Sequence, residues 1–187
     1  PINWAVLNGD AVSGVTIMDM AHELDAGDII AQISTPVSRT ETAQQLYDRL
    51  ARLGGQLLVE TVAAIADGTA RRTPQDPDRV TFAPMLSREL SPMDWSRPAD
   101  RLHDQVRGLL PWPTASAELP NGDKVKVFTT VEVKEQTAKR PGTILRAGQE
   151  GIDVACGGGT VLRITELQAP GSRRMSAADY LRGHKLI

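Results

Sequence analysis

Gly14-Val15-Thr16-Ile17-Met18, then Glu23-Leu24-Asp25-Ala26-Gly27-Asp28, then Ile29-Ile30-Ala31-Gln32-Ile33 is the stretch on which the reading of the fold turns. The first and last segments are apolar and largely β-branched, a strand composition. The middle one is polar and holds a glycine, so the chain turns there. Downstream, Ala43, Leu46, Tyr47, Leu50, Leu53, Leu57, Leu58, Val62 and Ile65 recur at intervals of three and four, which predicts one apolar face of a long helix. Ser38 and Glu41 have the spacing of a capping box at its start, and Asp67-Gly68 supplies a stop. Gly54-Gly55 in its middle points to close packing against a neighbour or to a bend. Strand, strand and long amphipathic helix suit the later half of an α/β sheet domain.

Beyond Thr69 the pattern breaks. Arg71-Arg72-Thr73-Pro74-Gln75-Asp76-Pro77-Asp78 is polar and proline-rich, and Pro84 and Pro92 prolong the irregularity. We therefore place a first unit at residues 1–70, a linker at 71–92 and a second unit at 93–187. In the second unit Ser96 and Pro98 open a short helix striped by Ala99, Leu102, Val106 and Leu109, which Pro111-Trp112-Pro113 ends. The period then falls to two. Val125, Val127, Thr129, Val131 and Val133 alternate with Lys124, Lys126, Phe128, Thr130 and Glu132, after an Asn121-Gly122 turn signal. Short β runs at 143–147, 152–156 and 161–167, parted by glycines, predict about five strands in a small closed OB-like barrel. A last short helix lies at Ser176–Leu181. The fold class is thus α/β plus β.

Composition narrows the function classes. Cys156 stands alone, which excludes an intrachain disulfide, and His22, His103 and His184 are too scattered for metal ligation, so no metal is expected. No apolar run reaches the roughly 20 residues of a membrane span, no secretion signal is visible, and the cytoplasm is the default compartment. The chain opens on Pro1 rather than Met, which reads as a processed or truncated chain. Residues 1–100 carry a net charge of −6 and residues 101–187 one of +4, which suggests an anionic partner for the second unit. The cationic candidates are Lys124, Lys126, Lys139, Arg140, Arg146, Arg173 and Arg174, followed by Arg182 and Lys185, with Arg71 and Arg72 in the linker. Lys and Arg neutralise nucleic-acid phosphates, and solvated surface charge is the alternative reading for any one of them. Trp95 and Trp112 could stack on bases, but packing suits their apolar and proline neighbours better.

Taken in order, the motifs carry a resemblance. Pro1-Ile2-Asn3-Trp4-Ala5, Asn8-Gly9-Asp10, Gly14–Met20 and Leu24-Asp25-Ala26-Gly27-Asp28-Ile29 resemble the formyltetrahydrofolate-dependent formyltransferases. Met93-Asp94-Trp95-Ser96, Leu110-Pro111-Trp112-Pro113, Pro141-Gly142-Thr143-Ile144-Leu145 and Met175–Leu181 are similar to the C-terminal domain of the methionyl-tRNA branch. The resemblance implies the later part of a Rossmann-like formyltransferase domain followed by an RNA-binding unit. It implies formyl transfer from 10-formyltetrahydrofolate to the α-amino group of initiator methionyl-tRNA. It gives Asp25 the catalytic carboxylate, and Ala21, His22, Glu23, Leu24 and Asp25 the contacts with folate. Lys124, Lys126, Lys139, Arg140, Arg146, Arg173 and Arg174, with Arg71 and Arg72, would contact the tRNA. The family's catalytic Asn and His belong to an N-x-H segment that precedes the Pro1-Ile2 motif, and His22 does not match that His. The chain alone is therefore expected to be inactive in transfer and still to bind RNA. The strand at Val15–Met20 would pair with strands of that preceding segment, and alone it would present an open edge, an aggregation hazard. No protein partner is indicated. The alternatives are a non-catalytic RNA-binding module and a folate-dependent enzyme acting on a nucleotide sugar. Taken singly, Asp before Ala-Gly is also a common turn residue that bonds its own backbone.

Overall fold

The computed structural model describes residues 1–186. Its first element, α1 (Ile2–Asn8), was not foreseen from the sequence: it spans two turns and has no side-chain cap. Gly9 ends it in the left-handed region, at φ 72°, with its N–H returned to Val6 O and that of Asp10 to Ala5 O. The strands β1 (Val12–Met18) and β2 (Ile29–Pro36) pair with each other antiparallel, Val15 opposite Ile33. Among the described residues they form a sheet of two, and β1 has no ladder on its other edge.

The helix α2 (Ala43–Ala66) lies over this pair. Its capping box is Thr42 with Gln45, not Ser38 with Glu41. Thr42 takes the N–H of Gln45, and Gln45 Oε1 takes the N–H of Thr42. Glu41 is engaged instead by the Ser38 N–H and by Arg49. Helicity runs unbroken through Gly54, because Val15 of β1 sits there: a Cβ on Gly54 would lie 3.2 Å from Val15 Cγ1. Of the expected apolar face, Ala43, Leu46 and Leu50 are buried with Val6 and Val37 in a small core. Tyr47, Leu58, Val62 and Ile65 remain exposed, since two strands are too few to cover 24 residues of helix.

The segment after α2 is no free tether. Thr73 pairs with Ile29 through both backbone hydrogen bonds, Trp4 Nε1 donates to Pro84 O, and Leu86 and Leu90 pack on the second core. The second unit begins with α3 (Ala99–Gly108), whose N-cap is Pro98; Ser96 bonds Asp94 instead, through its N–H and its hydroxyl. The stripe Ala99, Leu102, Val106 and Leu109 is buried as expected.

Six strands follow: β3 (Ala115–Glu118), β4 (Lys124–Val133), β5 (Ile144–Gly148), β6 (Gly151–Ala155), β7 (Val161–Gln168) and β8 (Met175–Ser176). They run in the order β3-β4-β7-β6-β5, with β8 on β7. The expected closed barrel is not found among the described residues, because no ladder joins β3 to β5. The far edge of β3 is instead occupied by the Pro92 segment, through Met93 N to Ser116 O and Ser116 N to Ser91 O. The sheet wraps a core of α3, the inner faces of β4, β6 and β7, and Tyr180 of α4 (Ala177–Gly183). Alternation in β4 also fails halfway. Val125 and Val127 are buried, but the register shifts on both sides of Thr129, so Thr130 is buried next and Val131 faces outward.

The two units are locked by polar contacts. Arg39, in the turn between β2 and α2, donates to both oxygens of Asp104 at 2.8 and 3.0 Å. Arg107 donates to Asp104 Oδ1 at 2.9 Å and to the carbonyls of Ser38 and Glu41. Asn3 reaches Gly108 O at 2.7 Å, and Arg101 reaches Asn8 O at 2.6 Å.

Candidate functional site

The turn joining β1 to β2 is where the sequence placed its chemistry. Residues Ala21 to Ala26 are exposed, and Gly27 is buried beneath them. Two devices shape the turn. Asp25 sits at φ 57°, where a side chain is tolerated best for Asn and Asp. Gly27 passes so close to the Asp19 carbonyl that any Cβ would collide with it. The base of the loop is closed by Asp19 N to Asp28 O at 3.0 Å.

The segment at 71–78 then clamps the loop from outside. Gln75 Nε2 donates at 2.8 Å to both Asp25 O and Gly27 O. Arg72 Nε donates to Asp19 at 2.7 Å. Gln75 is a contact with the turn that the sequence did not disclose, since nothing in a polar, proline-rich stretch marks one amide as the partner of a turn 50 residues earlier. With its backbone carbonyl engaged, Asp25 keeps its carboxylate free: it makes no side-chain hydrogen bond or ion pair among the described residues. The main-chain groups of Ala21, His22, Glu23 and Leu24 likewise have no partners there. The site thus offers two free carboxylates, those of Asp25 and Glu23, beside a run of open backbone donors and acceptors.

The cationic candidates do not gather on one face. Lys124, Lys126 and Arg174 lie about β4 and the β7–β8 connection, with Arg173 beside Arg174. Arg146 lies on β5, the opposite end of the sheet order, with Lys139 and Arg140 in the loop before it. Four candidates are already paired. Arg72 holds Asp19, Arg146 holds Asp153 and Glu135, Arg174 holds Glu166, and Arg182 holds Asp179. Lys124 stands 3.9 Å from Glu118. Arg71, Lys126, Lys139, Arg140 and Arg173 are exposed and unpaired among the described residues. Trp95 packs against the second core beside Gly142, whereas Trp112 is half-exposed.

Charges the sequence could not rank are buried between the strands. Asp153 on β6 is 1 % exposed and is gripped by Arg163 at 2.6 Å and Arg146 at 2.8 Å. Burial pushes its carboxyl up, but the hydrogen bonds and charges of the two arginines outweigh this and hold it below the ordinary range. Burial raises the Cys156 thiol to about 11, which leaves it inert at neutral pH. His103 bridges the units: Nε2 lies 2.9 Å from Arg39 O and so must donate, and Nδ1 shares a hydrogen bond of 2.9 Å with the Thr130 hydroxyl. A cleft of about 570 Å³ opens between the start of α2, α3 and β4. No helix among the described residues is long and apolar enough to cross a membrane, and they hold no cluster suited to a metal ion.

Comparison with known proteins bears on both units. Residues 1–62 match the formyl transferase family, and residues 85–185 match the formyl transferase C-terminal domain. The methionyl-tRNA formyltransferase of Bacillus velezensis is 42% identical over 183 residues, covering 98% of this chain and 57% of that protein. That of Acetivibrio thermocellus is 42% identical over 187 residues, covering 100% of this chain and 60% of its own. The chain therefore spans less than two thirds of the curated relatives it matches. Among solved structures, HypX from Aquifex aeolicus in complex with tetrahydrofolic acid superposes with a TM-score of 0.68 at 22% identity, covering 96% of this chain and 32% of that one. An N-formyltransferase from Helicobacter canadensis, in complex with folinic acid and dTDP-3-aminofucose, gives a TM-score of 0.69 at 18% identity, covering 90% of this chain and 60% of that one.

Proposed function

Since this chain belongs to the formyl transferase family, we propose that it serves formyl transfer from 10-formyltetrahydrofolate to the α-amino group of initiator methionyl-tRNA. The observation that carries the proposal is the β1–β2 turn: Asp25 is held by its backbone, from Gln75, while its carboxylate is left free. A carboxylate in that state can accept the proton that the attacking amine sheds, directly or through water. The open main-chain groups of Ala21 to Leu24 suit the donor and acceptor edge of a pterin ring. As the amine adds to the formyl carbon, the carbonyl oxygen gains negative charge and needs fixed donors. In the family pattern these are an Asn and a His of an N-x-H segment, a motif this sequence lacks. The roles proposed for this chain are proton acceptance at Asp25, folate contact at residues 21–25, and RNA binding through the cations of the second unit, Lys126 and Arg173 foremost. An OB-like topology for that unit remains part of this reading, as an open rather than closed sheet.

A labelled-formyl assay tests the proposal, with a longer protein carrying this chain and two acceptors, methionyl-tRNA and a nucleotide-linked amino sugar. Label on the tRNA is the expected result. Label on the sugar alone would overturn the assignment in favour of the sugar-modifying enzymes, whose solved members share the fold. The 187-residue chain alone is expected to transfer no label and to bind tRNA in a salt-sensitive way.

A further inference from the structure

Asp25 takes φ 57° while carrying a side chain, a left-handed conformation that glycine adopts at least cost. Such a conformation persists only where its surroundings over-determine it, and it gathers at functional sites. What over-determines it here comes from outside the loop. The carbonyl oxygens of Asp25 and Gly27 converge on one nitrogen, Gln75 Nε2, each at 2.8 Å. Two carbonyls facing one point repel each other unless donors stand between them. A primary amide carries two N–H groups on a single nitrogen, one for each carbonyl. Asn would fall a methylene short, and Glu would set oxygen against oxygen.

Gln75 is itself fixed from both sides. Two residues before it, Thr73 exchanges both backbone hydrogen bonds with Ile29, the first residue of β2. Pro74 sets one φ between them. One residue after it, Asp76 Oδ1 takes the N–H of Asp78 at 3.0 Å and caps a short 3-10 turn, Pro77–Arg79. Arg72 grips Asp19 across the base of the same loop. The segment from 72 to 78 thus delivers one amide to one turn. Gln75 lies between the two matched regions, residues 1–62 and 85–185, and in neither of them.

We propose that Gln75 is a positioning residue for the transfer: through the two carbonyls it fixes the Asp25 backbone, and so the place from which the carboxylate takes the amine's proton. The inference rests on the proton-acceptor reading of Asp25 above and adds the group that aims it. A reacting group misplaced by about 1 Å can cost about a hundredfold in rate. A double-mutant cycle on turnover tests it, in the longer protein that carries this chain and at saturating formyl donor, with Asp25→Asn, Gln75→Ala and the two together. Gln75→Ala is expected to lower kcat about 10–100-fold and to leave KM for methionyl-tRNA within about twofold. In the Asp25→Asn background, Gln75→Ala is expected to cost less than about twofold more, because no carboxylate is left to aim. Gln75→Glu gives a second readout. Its carboxylate faces two carbonyls at neutral pH, whereas the protonated form donates one hydrogen bond. Its activity relative to the native protein is therefore expected to rise as pH falls, while that of Gln75→Ala stays flat. Gln75 is exposed, so both variants are expected to melt near the native temperature. Native kcat in Gln75→Ala, losses that multiply in the double variant, or a Gln75→Glu profile parallel to that of Gln75→Ala would overturn the positioning role and leave the Asp25 reading standing. Native turnover in Asp25→Asn would sink that reading and the positioning role with it.

Discussion

Arg39 and Asp104, 65 residues apart in sequence, form a two-pronged contact in which one guanidinium nitrogen serves both carboxylate oxygens, at 2.8 and 3.0 Å. Asp104 is buried to 1% exposure, and Arg107, at 5%, is its second partner. Removing the carboxylate strands the more deeply buried arginine. Asp104→Asn is therefore expected to cost about 3–5 kcal/mol in urea unfolding, whereas Arg39→Ala, on a half-exposed side chain, is expected to cost about 1 kcal/mol. Equal effects of the two variants would mean that the contact with Arg107 is not what holds the knot together.

Gly9 tests the same knot from the other side. A Cβ there would lie 2.6 Å from Asp104 Oδ2, and the residue already sits at φ 72°. Gly9→Ala combines backbone strain of about 1–2 kcal/mol with a displaced carboxylate. A fall in melting temperature should accompany it, and Gly122→Ala makes the comparison: its φ is also positive, at 86°, but no atom stands within 4 Å of the new Cβ. Identical losses would remove Asp104 from the explanation.

The Asp25 turn separates stability from chemistry. Asp25 is exposed and its carboxylate unpartnered, so Asp25→Asn should change stability by less than about 0.5 kcal/mol. In a transfer-competent protein the same change should lower turnover by about 10²–10⁴-fold, the usual weight of a lost proton acceptor. Gln75→Ala leaves that carboxylate in place and frees two carbonyls. Faster amide exchange across residues 21–28 and weaker binding of 5-formyltetrahydrofolate are expected. A Gln75→Ala chain with native exchange in the loop would show that the clamp has no hold on it.

Acid stability should carry the signature of Asp153. Its folded carboxyl lies below the ordinary value because Arg163 and Arg146 outweigh the opposing effect of burial. The unfolded chain binds that proton more readily, so the contribution is fully present above an unfolded pKa of about 3.9 and is lost as pH falls through the folded value. Asp153→Asn should destabilise the chain by about 3 kcal/mol at neutral pH and flatten the loss of stability below about pH 4. A variant whose acid limb parallels that of the native chain would locate the effect in other carboxylates.

What the sequence disclosed and what it hid divide by range. Strands β1, β2, β4, β5, β6 and β7, helices α2 and α4 and the buried stripe of α3 followed from local pattern, which physics imposes on any half-buried element. The start of α2 slipped by four residues because Ser38 and Thr42 both precede a residue able to close a box, and only tertiary contact settles Glu41 on Arg49. Barrel closure and the outward turn of Val131 depend on pairings between distant strands, on which alternation is silent. Asp25 could be singled out because its motif is local. Gln75, Asp104 and Arg107 were not, because their partners are remote in sequence and a polar residue carries no mark of being buried.

The cations give the last test, since pairing within the protein should decide which of them meet RNA. Each phosphate neutralised releases counterions, so the slope of log binding constant against log salt measures the number of contacts, about 0.7 per contact for single strands and 0.9 for duplex. Lys126 and Arg173 are exposed and unpaired among the described residues. Lys126→Ala and Arg173→Ala should each reduce the slope by somewhat less than one and weaken all RNA sequences alike. Arg146 is occupied by Asp153 and Glu135 at the far end of the sheet order. Arg146→Ala should leave the slope unchanged and lower stability instead, because Asp153 loses one of its two partners. A slope that falls equally for Arg146→Ala and Lys126→Ala would mean that RNA wraps the whole sheet, with the internal ion pairs exchanged for phosphate on binding.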